Sequence, residues 1–224
     1  LLDTYSIERS PIAKQIVTRA NQSIAEFGPI FEALGLTDTQ DPVKMKKNMD
    51  ERKQNSPKAE KQRQALREAI AFKKYEFDAH GVEMNHRYKS NSVLTEGDKE
   101  PEFKKDKELF YEPTTYPGAR IPHAWVYDKT GVKHSLLDLC GKGNFSIFTG
   151  IGGEEWLKAT KNIETQLGIK IQCNIIGPDQ DFEDHAGEWS SIREISDSGL
   201  ILVRPDQHIC LSLIHISEPT RRTT

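Results

Sequence analysis

The sequence predicts an α/β chain, α+β overall, with a helical region followed by a smaller domain of thioredoxin-like outline. Three observations carry this. Apolar residues recur at helical spacing up to about residue 80. Past residue 123 short apolar strands alternate with one longer helix. Between the two lies a charged, proline-containing stretch, EGDKEPEFKKDKELFYEPTTYPGARIP, that matches neither pattern.

The first helix is expected over residues 10–28. Ser10 suits the cap and Pro11 the first turn, where a missing N–H costs nothing. Ile12, Ile16, Ala20, Ile24 and Phe27 share a face, and Gly28-Pro29 stops the run. The preceding LLDTYSIER reads as the end of an earlier helix, broken or kinked at Pro11. Asp41-Pro42 can open a short helix with a poor apolar face of Val43, Met45 and Met49. Ser56-Pro57 opens a stronger one, lined by Leu66, Ala69, Ile70 and Phe77 and ended by Gly81. Its bases interleave with Glu60, Glu68 and Glu76, which marks a solvated surface rather than a nucleic-acid face. An extended piece, GVEMNHRYKSNSV, follows.

The domain boundary falls near Tyr116-Pro117-Gly118. His123–Tyr127 reads as a strand closed by the turn Asp128-Lys-Thr-Gly131. Asn144–Thr149 is a second strand. Glu154–Leu167 is a helix with Trp156, Ile163 and Leu167 on one face and Gly168 at its end. Ile169–Ile176 is a third strand, Trp189, Ile192 and Ile195 suit a short helix, and Leu200–Val203 is a fourth strand.

Composition removes several function classes. The net charge of −3 gives no electrostatic case for nucleic acid or an anionic membrane. No apolar run nears the roughly 20 residues that span a bilayer. The opening residues lack a signal-peptide pattern. Cys140, Cys173 and Cys210 are odd in number, widely spaced and without a CxxC pair, the pattern of a reduced, cytoplasmic protein rather than a disulfide frame. The missing CxxC also argues against a stand-alone thioredoxin. The chain opens inside a helical pattern without an initiator Met, and a fragment is expected.

No metal, catalytic or cofactor-binding residue is assigned. His80, His86, His123, His134, His185 and His208 show no HxxxH or HExxH spacing. Asp179, Asp181, Glu183 and Asp184 form an acidic loop without the glycine and terminal glutamate of an EF-hand. Thr149-Gly-Ile-Gly-Gly153 before a helix looks like a phosphate cradle but lacks the GxGxxG order, and Glu154 and Glu155 put negative charge where a phosphate would sit. A tight turn needing glycine torsions fits better. Arg204 in Arg204-Pro205-Asp206 is expected to form a structural salt bridge or to cap the last strand.

Residues 211–221, LSLIHISEPTR, are the translation of a transposase adapter used in sequencing libraries. Leu211 onward is expected to be foreign, and His215 carries no functional meaning.

Two sets of motifs carry a resemblance. Leu2-x-x-Tyr5-x-x-Glu8-Arg9-x-Pro11-x-Ala13 resembles the LxxYxxERxPxA stretch of FAD-dependent aromatic hydroxylases. Tyr116-Pro-Gly-Ala-Arg-Ile-Pro-His123, Leu137-Asp-Leu-Cys-Gly-Lys-Gly143, Thr149-Gly-Ile-Gly-Gly153 and Leu202-Val-Arg-Pro-Asp-Gln-His208 are similar to the C-terminal domain of the phenol 2-monooxygenase and 2,4-dichlorophenol 6-monooxygenase branch. The resemblance covers nearly all of residues 1–210. It implies that residues 1–115 complete an FAD/substrate domain and residues 116–210 form an incomplete thioredoxin-like domain. The implied reaction is reduction of FAD by NAD(P)H, capture of O2 at the flavin C4a, and oxygen transfer ortho to a phenol hydroxyl. The implied partners are a phenolic small molecule and a second copy in a homodimer formed through the C-terminal domain. The family's GxGxxG and Gly-Asp flavin motifs are absent, so this chain alone is expected to be inactive. The competing reading is a non-enzymatic interaction or dimerisation module of thioredoxin-like fold.

Overall fold

A computed structural model describes residues 2–95, 97 and 99–214. Helices come first (α1 Leu2–Ala25, α2 Gly28–Ala33, α3 Pro42–Glu51, α4 Pro57–Phe77, α5 His80–Met84). The rest is β1 Trp125–Asp128, β2 Lys133–Ser135, a 3-10 helix Leu136–Leu139, β3 Phe145–Thr149, α6 Glu154–Leu167, β4 Ile171–Ile175, β5 Phe182–Glu183, α7 Glu188–Ile192, β6 Leu200–Val203 and β7 Ile209–Leu213. The chain divides into two compact units. One takes residues 10–83 and 105–110; the other takes 2–9, 84–104 and 111–214.

The helix starting signals act as expected at two places. Asp41 Oδ1 accepts from the Val43 N–H at 3.0 Å to cap α3, and Ser56 Oγ accepts from Ala59 N–H at 3.2 Å to cap α4. At α1 the expectation fails. The helix runs unbroken through Pro11, so Ser10 is interior rather than a cap. A mid-helix proline costs about 3 kcal/mol. Glu8 and Arg9, in the turn before it, bond to residues distant in sequence. The stop also falls earlier: α1 ends at Ala25, and Gly28-Pro29 opens α2.

In the helical unit, α4 buries Ala59, Ala69 and Lys73, with Gln62 and Leu66 half-buried between them. That stripe follows three- and four-residue steps. Ile70 and Phe77, expected on the inner face, are exposed instead. Ile70 lies one residue, about 100°, round from Ala69. A lysine takes the inner place: Lys73 Nζ donates to the Ser23 carbonyl at 2.5 Å and Ser23 Oγ at 2.7 Å and lies 3.9 Å from the Phe27 ring centroid. Gly81 does not end α4. It sits inside α5, where any Cβ would meet the Lys107 carbonyl oxygen at 2.2 Å, so the piece read as extended from residue 82 begins as a helical turn.

The other unit holds two sheets, ordered β2-β1-β5 and β4-β3-β6-β7. β3 and β4 are parallel and joined by α6, while β6 runs antiparallel to β3 and β7 to β6. This mixed βαβ-plus-hairpin sheet is the α/β architecture expected. The core packs Phe148, Ile201, Val203 and Ile209 from the sheet against Val126, Leu136 and Trp189. The glycine that ends α6 is as read: Gly168 adopts φ +65 and its N–H donates to the Glu164 carbonyl.

β2, β5 and β7 were not anticipated. β7 draws Leu211–Leu213, inside the segment read as foreign, into pairing with Leu200–Leu202. Residues 215–224, including His215, lie outside the described residues.

Candidate functional site: a buried polar clamp

Most of the motifs that carry the resemblance converge at the β6–β7 hairpin; the 149–153 turn lies elsewhere. Arg204 N–H donates to the His208 carbonyl at 2.7 Å, and Gln207 N–H donates to the Arg204 carbonyl at 2.9 Å. Pro205 presets the first corner of this turn and Gln207 takes φ +68 at its end. The 116–122 segment runs alongside. Gly118 N–H donates to the Ile209 carbonyl, Ile209 N–H to the Ala119 carbonyl and Ile121 N–H to the Gln207 carbonyl, at 2.7, 2.8 and 2.9 Å. Gly118 has φ +97, and a Cβ there would lie 2.3 Å from the Tyr88 carbonyl oxygen. Only glycine fits that approach.

Side chains then build a polar cluster inside this frame. Helix α1 presents Glu8, which is only 5% exposed, to Arg204, which is 6% exposed. Arg204 Nη1 donates to Glu8 Oε1 at 2.7 Å and Nη2 to Oε2 at 3.0 Å, a two-pronged pair. Ser90 Oγ donates to Glu8 Oε1 at 2.6 Å. Arg204 also reaches Asp206, with Nη2 to Oδ2 at 2.7 Å and Nε to Oδ1 at 3.2 Å. Arg9 Nη1 donates to the Tyr88 hydroxyl at 2.5 Å, and the Tyr88 ring stacks on His208 with centroids 4.1 Å apart. His208 Nδ1 lies 3.1 Å from the Asp206 carbonyl oxygen, and its buried Nε2 has no hydrogen-bond partner among the described residues.

The electrostatics follow from this geometry. Burial alone would raise the Glu8 carboxyl, but hydrogen bonds from Arg204 and Ser90 and the Arg204 charge outweigh it and hold it below its ordinary value. Burial also opposes ionisation of Asp206, and contacts with His208 and Arg204 overcome it in the same sense. The hydrogen bond to Glu8 raises Arg204 further above the arginine range, against the effect of burial. Two acids, Glu8 and Asp206, thus balance two bases, Arg204 and Arg9. The Ser90 hydroxyl donates to a Glu8 carboxylate already paired with Arg204, and the cluster grips rather than reacts. The expectation of a structural salt bridge for Arg204 holds. Its main partner, Glu8, lies 196 positions away.

The other singled-out residues are placed elsewhere. In the 149–153 turn Gly152 takes φ +84, and a Cβ on Gly153 would lie 2.0 Å from Thr149 Oγ1. Gly150 N–H donates to the Asp197 carbonyl at 2.7 Å and Gly153 N–H to the Gly150 carbonyl at 3.1 Å. With these two amides already bonded and Glu154 and Glu155 in the first turn of α6, the residues present do not fit the phosphates of a flavin or nicotinamide dinucleotide. The acidic loop is locally committed. Asp181 accepts from Ile175 N–H, Glu183 from Asp179 N–H, and Asp184 from the N–H and hydroxyl of Ser190. No described helix is long and apolar enough to cross a membrane.

Comparison with known proteins identifies what these motifs belong to. Residues 114–215 match the family described as aromatic-ring hydroxylase, C-terminal. The chain is 51% identical over 210 residues to 2,4-dichlorophenol 6-monooxygenase of Cupriavidus pinatubonensis, covering 93% of this chain and 35% of that protein. It is 46% identical over 209 residues to phenol 2-monooxygenase of a Pseudomonas species, covering 93% and 34%. It therefore spans about a third of the length of the curated relatives it matches. Among solved structures, the flavin-dependent monooxygenase PieE in complex with FAD and substrate superposes with a TM-score of 0.88 at 38% identity, over 96% of this chain and 37% of that one.

Proposed function

We propose, from the match of residues 114–215 to the aromatic-ring hydroxylase C-terminal family, that the chain is the C-terminal part of an FAD-dependent monooxygenase that hydroxylates phenols ortho to the ring hydroxyl, with NAD(P)H and O2. The observation that carries this is 46% to 51% identity, over most of the chain, to enzymes named for phenol and dichlorophenol oxygenation. FAD supplies the oxygen-activating chemistry when bound. The chain's own part is structural: residues 1–115 complete a flavin and substrate domain, residues 116–210 form the added α/β domain, and the Glu8–Arg204 clamp ties α1 to the end of β6. Alone, the chain is inactive, because its 149–153 turn does not fit a dinucleotide. The protein works in the cytoplasm as a homodimer formed through the C-terminal domain. Residues 211–224 are a translated library adapter.

The test is recovery of the full-length gene, purification of its product, and measurement of flavin absorbance and NAD(P)H oxidation with a panel of phenols. Phenol-stimulated oxidation by a yellow protein supports the reading. A colourless protein without such stimulation refutes it.

A further inference from the structure

The four-stranded sheet ends at β4, which among the described residues has β3 on one side and no strand on the other. An unpaired strand edge is a template for another chain. The inner N–H groups of β4 face β3, and just past its end the Ile176 N–H donates to the Thr149 carbonyl at 2.9 Å. By the two-residue alternation of a strand, the N–H groups of Ile171, Cys173 and Ile175 point outward. Two of these three are taken by acidic side chains. Glu164, from the last turns of α6, accepts from Ile171 N–H through Oε1 at 2.7 Å, and Asp181 accepts from Ile175 N–H through Oδ2 at 3.4 Å. The margin beside the edge is apolar and exposed at Ile163, Leu167 and Ile169.

We propose that Glu164, seconded by Asp181, is the guard of the β4 edge, and that the surface it closes is self-complementary, with the β4 edge of a second copy as its partner. Charge complementarity points to a second copy. In an antiparallel pair centred on Cys173, Ile171 of one copy falls opposite Ile175 of the other, whose N–H passes from Asp181 to the Ile171 carbonyl, and Lys170 falls opposite Ile176, next to the released Asp181 carboxylate. Asp181 gains a new partner in that pairing and Glu164 gains none, so Glu164 decides whether the edge opens. A two-fold pair repeats each contact twice and stacks the Ile163, Leu167 and Ile169 margins along the seam. The dimer of the proposed function must then use a face other than this edge.

Amide hydrogen exchange on the full chain, followed at Ile171 and Cys173 over a range of protein concentrations, tests the guard. In the unmodified chain the Cys173 amide is expected to exchange at one rate at all concentrations. In Glu164→Ala it is expected to slow at least tenfold as concentration rises, with a matching rise in mass by light scattering. Glu164→Gln, which keeps an acceptor oxygen, should restore the unmodified behaviour. Glu164→Met, helix-favouring and unable to accept, repeats the test should the alanine variant lose its fold. Concentration-independent exchange at Cys173 in the folded Ala or Met variants overturns the proposal, as does concentration-dependent protection already present in the unmodified chain. A mass increase that leaves Cys173 exchange unchanged reports a dimer through another face and also overturns the β4 assignment, while leaving the proposed function standing.

Discussion

Glu8 and Arg204 stand 196 positions apart and meet through two parallel hydrogen bonds of 2.7 and 3.0 Å in a site closed to solvent. Breaking a buried pair leaves one charge uncompensated, at a cost of about 3–5 kcal/mol. Glu8→Ala or Arg204→Met should lower stability by that order in urea unfolding. Replacing both with apolar residues should cost less than the two single changes summed. Strict additivity in that double-mutant cycle would contradict the clamp.

The same pair sets an acid limit. The folded Glu8 carboxyl titrates below its ordinary 4.5, because the bonds from Arg204 and Ser90 outweigh the effect of burial. Its contribution is therefore complete above pH 4.5 and lost as pH falls through the lowered folded value. Unfolding midpoints measured from pH 7 down to pH 3 should fall more steeply for the unmodified chain than for Glu8→Gln. Parallel curves would contradict the assignment.

Gly118 is the backbone counterpart. Its φ of +97 and the 2.3 Å separation of a built Cβ from the Tyr88 carbonyl oxygen leave no room for a side chain. Gly118→Ala should cost about 1–3 kcal/mol or more through the strained torsion and the clash together. Gly143→Ala is the control, with φ +82 but nothing within 4 Å of the built Cβ, so it carries the torsional cost alone. Equal thermal shifts for the two variants would sink the contact argument.

Much of this was legible in the sequence, for physical reasons that differ by element. Caps on α3 and α4 and the Gly168 stop of α6 are local chemistry, readable within four residues. β3, α6, β4 and β6 announced themselves through apolar period. Pro11 misled because local propensity favours a break there, and the helix runs through it all the same. The α4 face misled because Lys73, polar by type, fills a buried place next to Ser23 and Phe27. β2 and β5 are three and two residues long, too short for a period to register. Arg204 could be singled out, but its partner could not, since nothing local marks Glu8 as the acid that finds it.

The thiols offer an independent check on burial. Burial pushes Cys140 and Cys210 up to about 11, whereas Cys173 is only half-buried. A thiol needs its thiolate to react. At pH 8 a thiol-specific reagent should label Cys140 and Cys210 slowly in the folded chain and all three cysteines quickly in denaturant. Rapid labelling of three sites in the native chain would show the β6–β7 core to be open.

The helical unit should behave as an incomplete surface. Ile24 and Phe77 are each 74% exposed, and Ile16, Ile70 and Phe72 are half exposed or more. Exposed apolar side chains in this number bind hydrophobic dyes and promote association. The isolated chain should bind such a dye and pass through gel filtration without flavin. A dye-silent monomer would contradict the idea that another part of a longer protein covers these faces.

Isotope labelling of the full-length enzyme's product addresses the central claim most directly. With 18O2, NAD(P)H and a chlorophenol, one labelled oxygen should appear in a catechol, on the carbon next to the original hydroxyl. A product without label, or no product from flavin-loaded enzyme, would contradict the assignment of this chain to a phenol-hydroxylating flavoprotein.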